Sequence, residues 1–173
     1  MGLFSKDIKT MDDLFVHRLQ DIYYAENQIY KSLPKMIDQA SEPELRQGLE
    51  QHRAQTANHI KRLEQVFKQH GAEAKAVDCP AIDGILEEAD EVAGEVASAS
   101  APGIGSACAA IIAAAQAVEH YEITRYGTLV AWAKQLGRED CAALLKQNLD
   151  EEYAADDKLS LLAKSGINSR AAA

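Results

Sequence analysis

Four long segments of this sequence carry apolar residues at a helical period, and each stripe is broken near its middle by side chains that ionise or hydrogen-bond. An apolar stripe of this kind needs other helices to cover it, and polar groups on the stripe need partners in the interior. In the first segment Phe15, Leu19, Ile22, Ile29, Leu33 and Ile37 recur, with Glu26 in the gap. Thr10-Met11-Asp12-Asp13 supplies a threonine cap and acids for the first turn, and Pro34 predicts a kink. The second segment opens on a capping box at Ser41-Glu42-Pro43-Glu44 and carries Leu45, Leu49, His52, Thr56, His59, Leu63 and Phe67 before a stop at Gly71. The third, over 104–135, has Ile111, Ala115, Ile123, Leu129, Ala133 and Leu136, with Glu122 midway between Ala115 and Leu129. After a tight turn at Gly137-Arg138-Glu139-Asp140, the fourth carries Leu145, Leu149, Glu152, Asp156 and Leu159.

The connections decide the topology. Those between the first and second segments and between the third and fourth are short, which makes helical hairpins. The second and third are separated by some thirty residues, with a break at Cys79-Pro80, an amphipathic helix over roughly 81–98 and a loop over 98–103. That connection is too short to own a core. The expected fold is therefore all-α: a ferritin-like antiparallel four-helix bundle with an extra helix in the long connection. Residues 1–173 form one domain in this reading, with its core at about 8–165 and a frayed tail after Ser165.

Composition agrees and sets limits on function. Of 173 residues, 47% are hydrophobic but only 6% aromatic, and the alanine that makes up much of the difference favours helices. A formal net charge of -9 argues against nucleic acid or an anionic membrane as a partner. The apolar run Ala107–Ala115 is too short to span a bilayer, and Met1–Asp7 lacks the basic-then-apolar pattern of a signal peptide. Cys79, Cys108 and Cys141 are far apart, odd in number and form no CxxC pair, as expected for reduced thiols in the cytoplasm.

The polar residues on the stripes lie about halfway along their helices. In an antiparallel bundle, mid-helix positions come to one level, so Glu26, Glu122 and Glu152 are expected to converge. His52 and His59 occupy the same level. Glu119, one turn before Glu122, either shares the site or faces solvent. Asp156 is either a ligand or an acceptor for one. Buried carboxylates need charge compensation, and carboxylates with imidazoles suit iron or manganese. A faint repeat pairs Glu26-x-x-x-Tyr30 with Glu122-x-x-x-Tyr126.

Several motifs together resemble the YciE/YciF family of ferritin-like bacterial stress proteins. They are Asp12-Asp13-Leu14-Phe15, Tyr24-Ala25-Glu26-Asn27-Gln28, Arg62-Leu63-Glu64-Gln65-Val66-Phe67, the run from Ala113 through Glu119-His120-Tyr121-Glu122-Ile123, Tyr126-Gly127-Thr128-Leu129 and Leu149-Asp150-Glu151-Glu152. The resemblance covers roughly residues 8–163. It implies a di-metal site, usually di-iron, a dimer and a stress-linked activity. By that resemblance Glu26, Glu119, Glu122 and Glu152 are metal ligands. The second helix departs from the pattern, because Gln55 stands where many relatives carry Glu and His59 follows four residues later. A neutral amide is a poor bridging ligand, so the resemblance with Gln55 implies weakened metal binding.

Three readings of function follow. One is a di-metal centre that oxidises Fe(II) with oxygen or peroxide, a ferroxidase- or peroxidase-type oxidoreductase. Another is a non-catalytic helical stress or structural protein with a vestigial site. The third is manganese-catalase-like peroxide disproportionation. The sequence leaves the three open. The partners expected are metal ions and a second copy of the chain, with no nucleic acid and no membrane.

Overall fold

A computed structural model describes residues 8–98 and 104–172. Its long helices are α1 (Met11–Gln39), α2 (Pro43–His70), α3 (Pro80–Ser98), α4 (Ile104–Gln135) and α5 (Glu139–Leu162). A single π turn, Ala163–Ile167, leads into the short α6 (Asn168–Ala171). The expected loop lies, over 99–103, outside the described residues, as does Met1–Asp7.

Helices α1, α2, α5 and α4 form the bundle, each packed against two neighbours. Cross-links between helices fix their directions. Tyr23 donates to Glu64 and His70 lies beside Asp12, so α1 and α2 run antiparallel. Arg62 reaches Asn148 and Lys158 reaches Gln51, so α2 and α5 do likewise. Arg125 lies near Asp21 and Cys108 near Ser41, which sets α4 against α1. α3 lies on the α1–α4 face through buried Ile82, an Asp83–Tyr24 hydrogen bond of 3.0 Å and a Lys35–Asp90 ion pair of 2.8 Å. The architecture is the ferritin-like antiparallel bundle with its extra helix in the long connection.

The helix ends follow from local chemistry. Thr10 and Asp13 form a reciprocal capping box at the start of α1, and α1 runs on through Pro34. Gly71 ends α2 at φ 82°, where a residue without Cβ is favoured, and Ala72 N–H closes the turn onto Phe67 O at 2.9 Å. Gly137 does the same after α4 at φ 69°.

Two expectations fail at the ends. Ser41 does not cap α2. Glu42 is the N-cap, and Ser41 Oγ lies 3.3 Å from Cys108 Sγ instead. The C-terminal tail is helical rather than frayed. Ile167 is buried, Arg170 pairs with Glu42 at 2.9 Å, and α6 packs on the start of α4. Gly105 permits that approach, since a Cβ there would lie 2.5 Å from the backbone nitrogen of Ala171. Among the described residues no helix is long and apolar enough to cross a membrane. Cys79, Cys108 and Cys141 are free and buried.

Candidate metal centre

Every bundle helix delivers a buried polar side chain to the middle of the core. α1 gives Glu26, α2 gives His52, Thr56 and His59, α4 gives Glu119 and Glu122, and α5 gives Glu152. Apolar residues flank this layer on α1, where Ile22 and Ile29 lie one turn either side of Glu26.

The ligand-type atoms gather in two overlapping groups. His52, Glu119, Glu122 and Glu152 bring one such atom each to within 4.8 Å of one another, and so do Glu26, His59 and Glu152. Glu152 belongs to both. His59 Nδ1 lies 2.8 Å from Glu152 Oε1 and 3.3 Å from Glu26 Oε1. Both are ion-pair distances, though neither is aligned as a hydrogen bond. Glu26 Oε2, Glu119 Oε2, both oxygens of Glu122 and of Glu152, and His52 Nδ1 are buried without a hydrogen-bond partner. Buried polar atoms are nearly always hydrogen-bonded, so orphans converging on one space make a place that a cation could fill. Carboxylate and imidazole donors fit iron or manganese.

The two halves are held differently. On the Glu26–His59 side a ring of hydrogen bonds closes around the ligands. The Tyr126 hydroxyl donates to Glu26 Oε1 and accepts from Asn148 Nδ2 at 2.9 Å. Arg62 donates to Asn148 Oδ1 at 2.9 Å and to Glu151 Oε1 at 2.8 Å. His59 Nε2 meets Glu151 Oε2 at 2.8 Å. Arg62 and His59 outweigh the burial of Glu151 and hold its carboxyl below the usual range. An ionised carboxylate only accepts, so Nε2 carries the proton and Nδ1 faces the site with a lone pair when the ring is neutral. On the His52 side Nε2 lies 3.5 Å from Glu119 Oε1, and Glu119 also approaches Glu152.

Without a cation the charges are frustrated. Burial, then Glu152, pushes the Glu119 carboxyl up to about 10. Burial with the neighbouring carboxylates raises Glu122 well above the ordinary range, and burial also raises Glu26. Burial pulls His59 down, but Glu26 and Glu152 win and push it up to about 11. Burial lowers His52, which keeps that ring neutral.

Of the residues singled out from sequence, Glu26, His52, His59, Glu119, Glu122 and Glu152 are brought together. Glu119 faces inward. Asp156 does not join them: it accepts from Gln116 at 2.9 Å and lies 3.3 Å from His120, on the outer side of α4 and α5. Gln55 is half-buried on the wall of a cavity beside His52 and Glu119. The position three before His59 is Thr56, fully buried, with its hydroxyl turned back to His52 O at 3.0 Å. Asn148, Arg62, Glu151 and Tyr126 as a hydrogen-bonding group were not singled out. The buried stripe of α5 includes Asn148 where the periodicity placed Leu149, a phase error of one residue.

The fold and this buried carboxylate–histidine layer define a ferritin-like bundle with a candidate two-ion centre. Residues 10–172 match the family model DUF892, described as a domain of unknown function, and the chain belongs to that family. It is 41% identical over 166 residues to the protein YciF of Escherichia coli K12, across 95% of this chain and 97% of that one. The crystal structure of that E. coli stress protein superposes with a TM-score of 0.85, covering 93% of this chain and 99% of that one. A Rhodopseudomonas palustris protein, YcfI, for which a structural role has been suggested, is 55% identical with a TM-score of 0.84, over 91% and 98% of the two chains.

Proposed function

We propose that the layer is a two-metal centre for iron or manganese, that Glu152 bridges the two positions, and that the protein acts through it on oxygen or peroxide under stress. The observation that carries this is the convergence of unpartnered buried ligand atoms from all four bundle helices. Glu26, His59 and Glu152 would hold one ion, and His52, Glu119, Glu122 and Glu152 the other. Gln55 and Asp156 are left out of the ligand set. The bound ions would supply the redox equivalents. The protein's own residues exclude bulk water, fix the His59 tautomer through Glu151 and hold the Glu26 carboxylate through Tyr126. The stress-protein description of the E. coli relative supports the physiological setting.

A non-catalytic role has an observation in its favour too: α2 offers Thr56, not a carboxylate, three residues before His59. Elemental analysis after chelator-free purification separates these readings. The two-metal reading expects up to two equivalents of iron or manganese per chain. Failure to take up either ion, even after incubation with excess Fe(II) or Mn(II), favours the non-catalytic role. We propose a homodimer as well, with Ile8, Met11 and Leu14, exposed at the start of α1, in the contact. Light scattering would then give twice the chain mass, and monomer mass at high concentration would count against it.

A further inference from the structure

A cavity of about 80 Å³ lies in the bundle immediately beside the His52–Glu119 half of the centre. Its walls are Ile29 and Leu33 of α1, Leu49 of α2, Ala115 of α4, and Leu159 and Leu162 of α5. Protein interiors contain few voids larger than a water molecule, and such a void costs stability. This one exists because the chain places small residues where α2, α4 and α5 face it, among them Gly48, Ala115 and Ala155.

Its two ends differ in chemistry. The inner end holds His52 and Glu119, and His52 Nδ1 and Glu119 Oε2 are buried and unpartnered there. The outer end lies between α2 and α5, at Gly48, Gln51, Ala154 and Lys158. The Lys158 chain lies over Gly48, 3.5 Å from where a Cβ would stand, and its Nζ donates to Gln51 Oε1 at 3.0 Å. The lysine arm thus crosses the mouth from α5 to α2. A lone hydrogen bond near the surface contributes little net stability, so swinging the arm aside is cheap.

We propose that this cavity binds a short, uncharged aliphatic molecule with one polar end, its chain against the leucines and its polar end at His52 and Glu119. Size sets the length. A cavity of ~150 Å³ accommodates benzene, so this one takes roughly three or four carbon atoms, with room to extend through the mouth. Charge sets the class. The apolar walls penalise any ion, and the inner end of the metal-free protein offers no cation to hold an anion, since burial keeps His52 neutral. In the metal-free protein a hydroxyl or hydroperoxyl group can hydrogen-bond the unpartnered atoms at the inner end, as water does in polar cavities, and in the loaded protein it would lie beside the ion those residues hold. As a statement about substrate class the proposal rests on the two-metal reading; as a statement about binding it is read on the metal-free protein as well.

1-Butanol is a suitable probe, with butyrate as its charged counterpart. Methyl NMR of the full-length protein, metal-free and metal-loaded, is expected to show saturable shifts confined to Leu33, Leu49, Leu159 and Leu162. Butyrate should bind at least ~10-fold more weakly than butanol. Ala115→Leu and Ala155→Leu, which fill the cavity from neighbouring helices, should each weaken butanol binding by about 10-fold or more while metal stoichiometry is unchanged. Shifts that fail to saturate, spread over the surface, or persist at full strength in both variants overturn the proposal. If metals bind and butanol does not, the cavity proposal alone falls. If butanol binds the cavity and no metal binds the protein, the binding proposal stands and the two-metal reading falls.

Discussion

Glu152 belongs to both candidate ligand groups, so the proposed two-metal centre depends on it more than on any other residue. Glu152→Gln keeps the volume and removes the shared charge, so both ions should weaken, with stoichiometry falling from two equivalents toward none. Glu26→Gln should cost only the His59-side ion. Titration with Mn(II) or Fe(II) under anaerobic conditions checks both, and equal losses in the two variants would contradict a bridging role. Glu151 touches no candidate ion position, yet it fixes His59; Glu151→Gln should lower affinity by roughly 10–100-fold on that side. At this scale the sequence was informative where an ionisable group interrupts an apolar stripe. Glu26, His52, His59, Glu122 and Glu152 are legible for that reason. Arg62, Glu151 and Asn148 were not, since Arg62 and Glu151 are partly exposed and Asn148 lies one residue from the expected phase. The apparent repeat also misleads. Tyr126 binds Glu26, whereas Tyr30 sits under the Arg53 guanidinium, 4.6 Å from its ring centre, so equal spacing gives unequal roles.

Whole helices were read more accurately than their ends. The third segment, expected over 104–135, is helical over Ile104–Gln135, because long amphipathic repeats average over local noise. Ends depend on single contacts. Ser41 carries a capping sequence but turns to Cys108, and the tail is helical because Ile167 finds a buried place and Arg170 a carboxylate. No composition rule signals either. Gly105 gives the test of the tail. A methyl group there meets backbone of Arg170 and Ala171 at 2.7 and 2.5 Å, which flexible side-chain motion does not relieve. Gly105→Ala should therefore detach α6 and cost about 1–3 kcal/mol, lowering Tm by roughly 3–10 °C. Limited proteolysis should cut the variant first after Ile167. A variant with the parent's Tm and cleavage pattern would show that α6 does not need this approach.

The bundle as a whole holds its charged layer at a cost that pH exposes. In the metal-free protein the Glu119 carboxyl sits at about 10 against an ordinary 4.5, and His59 at about 11 against 6.5. The folded state therefore retains protons that the unfolded chain releases. That stability is complete below the unfolded values and is lost as pH rises toward the folded ones. Each proton retained across two pH units is worth roughly 3 kcal/mol; Glu119 and His59 both add to the effect, and His52, whose value burial lowers, subtracts from it. The Tm of metal-free protein should thus fall by roughly 5–10 °C between pH 6 and 8. A dication replaces those protons, so the metal-induced rise in Tm should grow over the same window. Scanning calorimetry with and without Mn(II) reads both trends, and a metal-free Tm that rises with pH would contradict the charge arrangement described here. The overall topology was legible because two short turns and one long connection leave few ways to arrange four helices. The ring around His59 was not, because it joins residues as far apart as Arg62 and Glu151 in the chain.

The central claim is that the unpartnered atoms around Glu152 are the ligands of two ions. Crystals soaked anaerobically in Fe(II) or Mn(II), with anomalous data collected on both sides of the matching absorption edge, test it most directly. The account predicts two anomalous peaks flanking the Glu152 carboxylate, one beside Glu26 and His59 and the other beside His52, Glu119 and Glu122. Soaked crystals with no peak in this layer, or with peaks only on surface carboxylates such as Asp156, would contradict it.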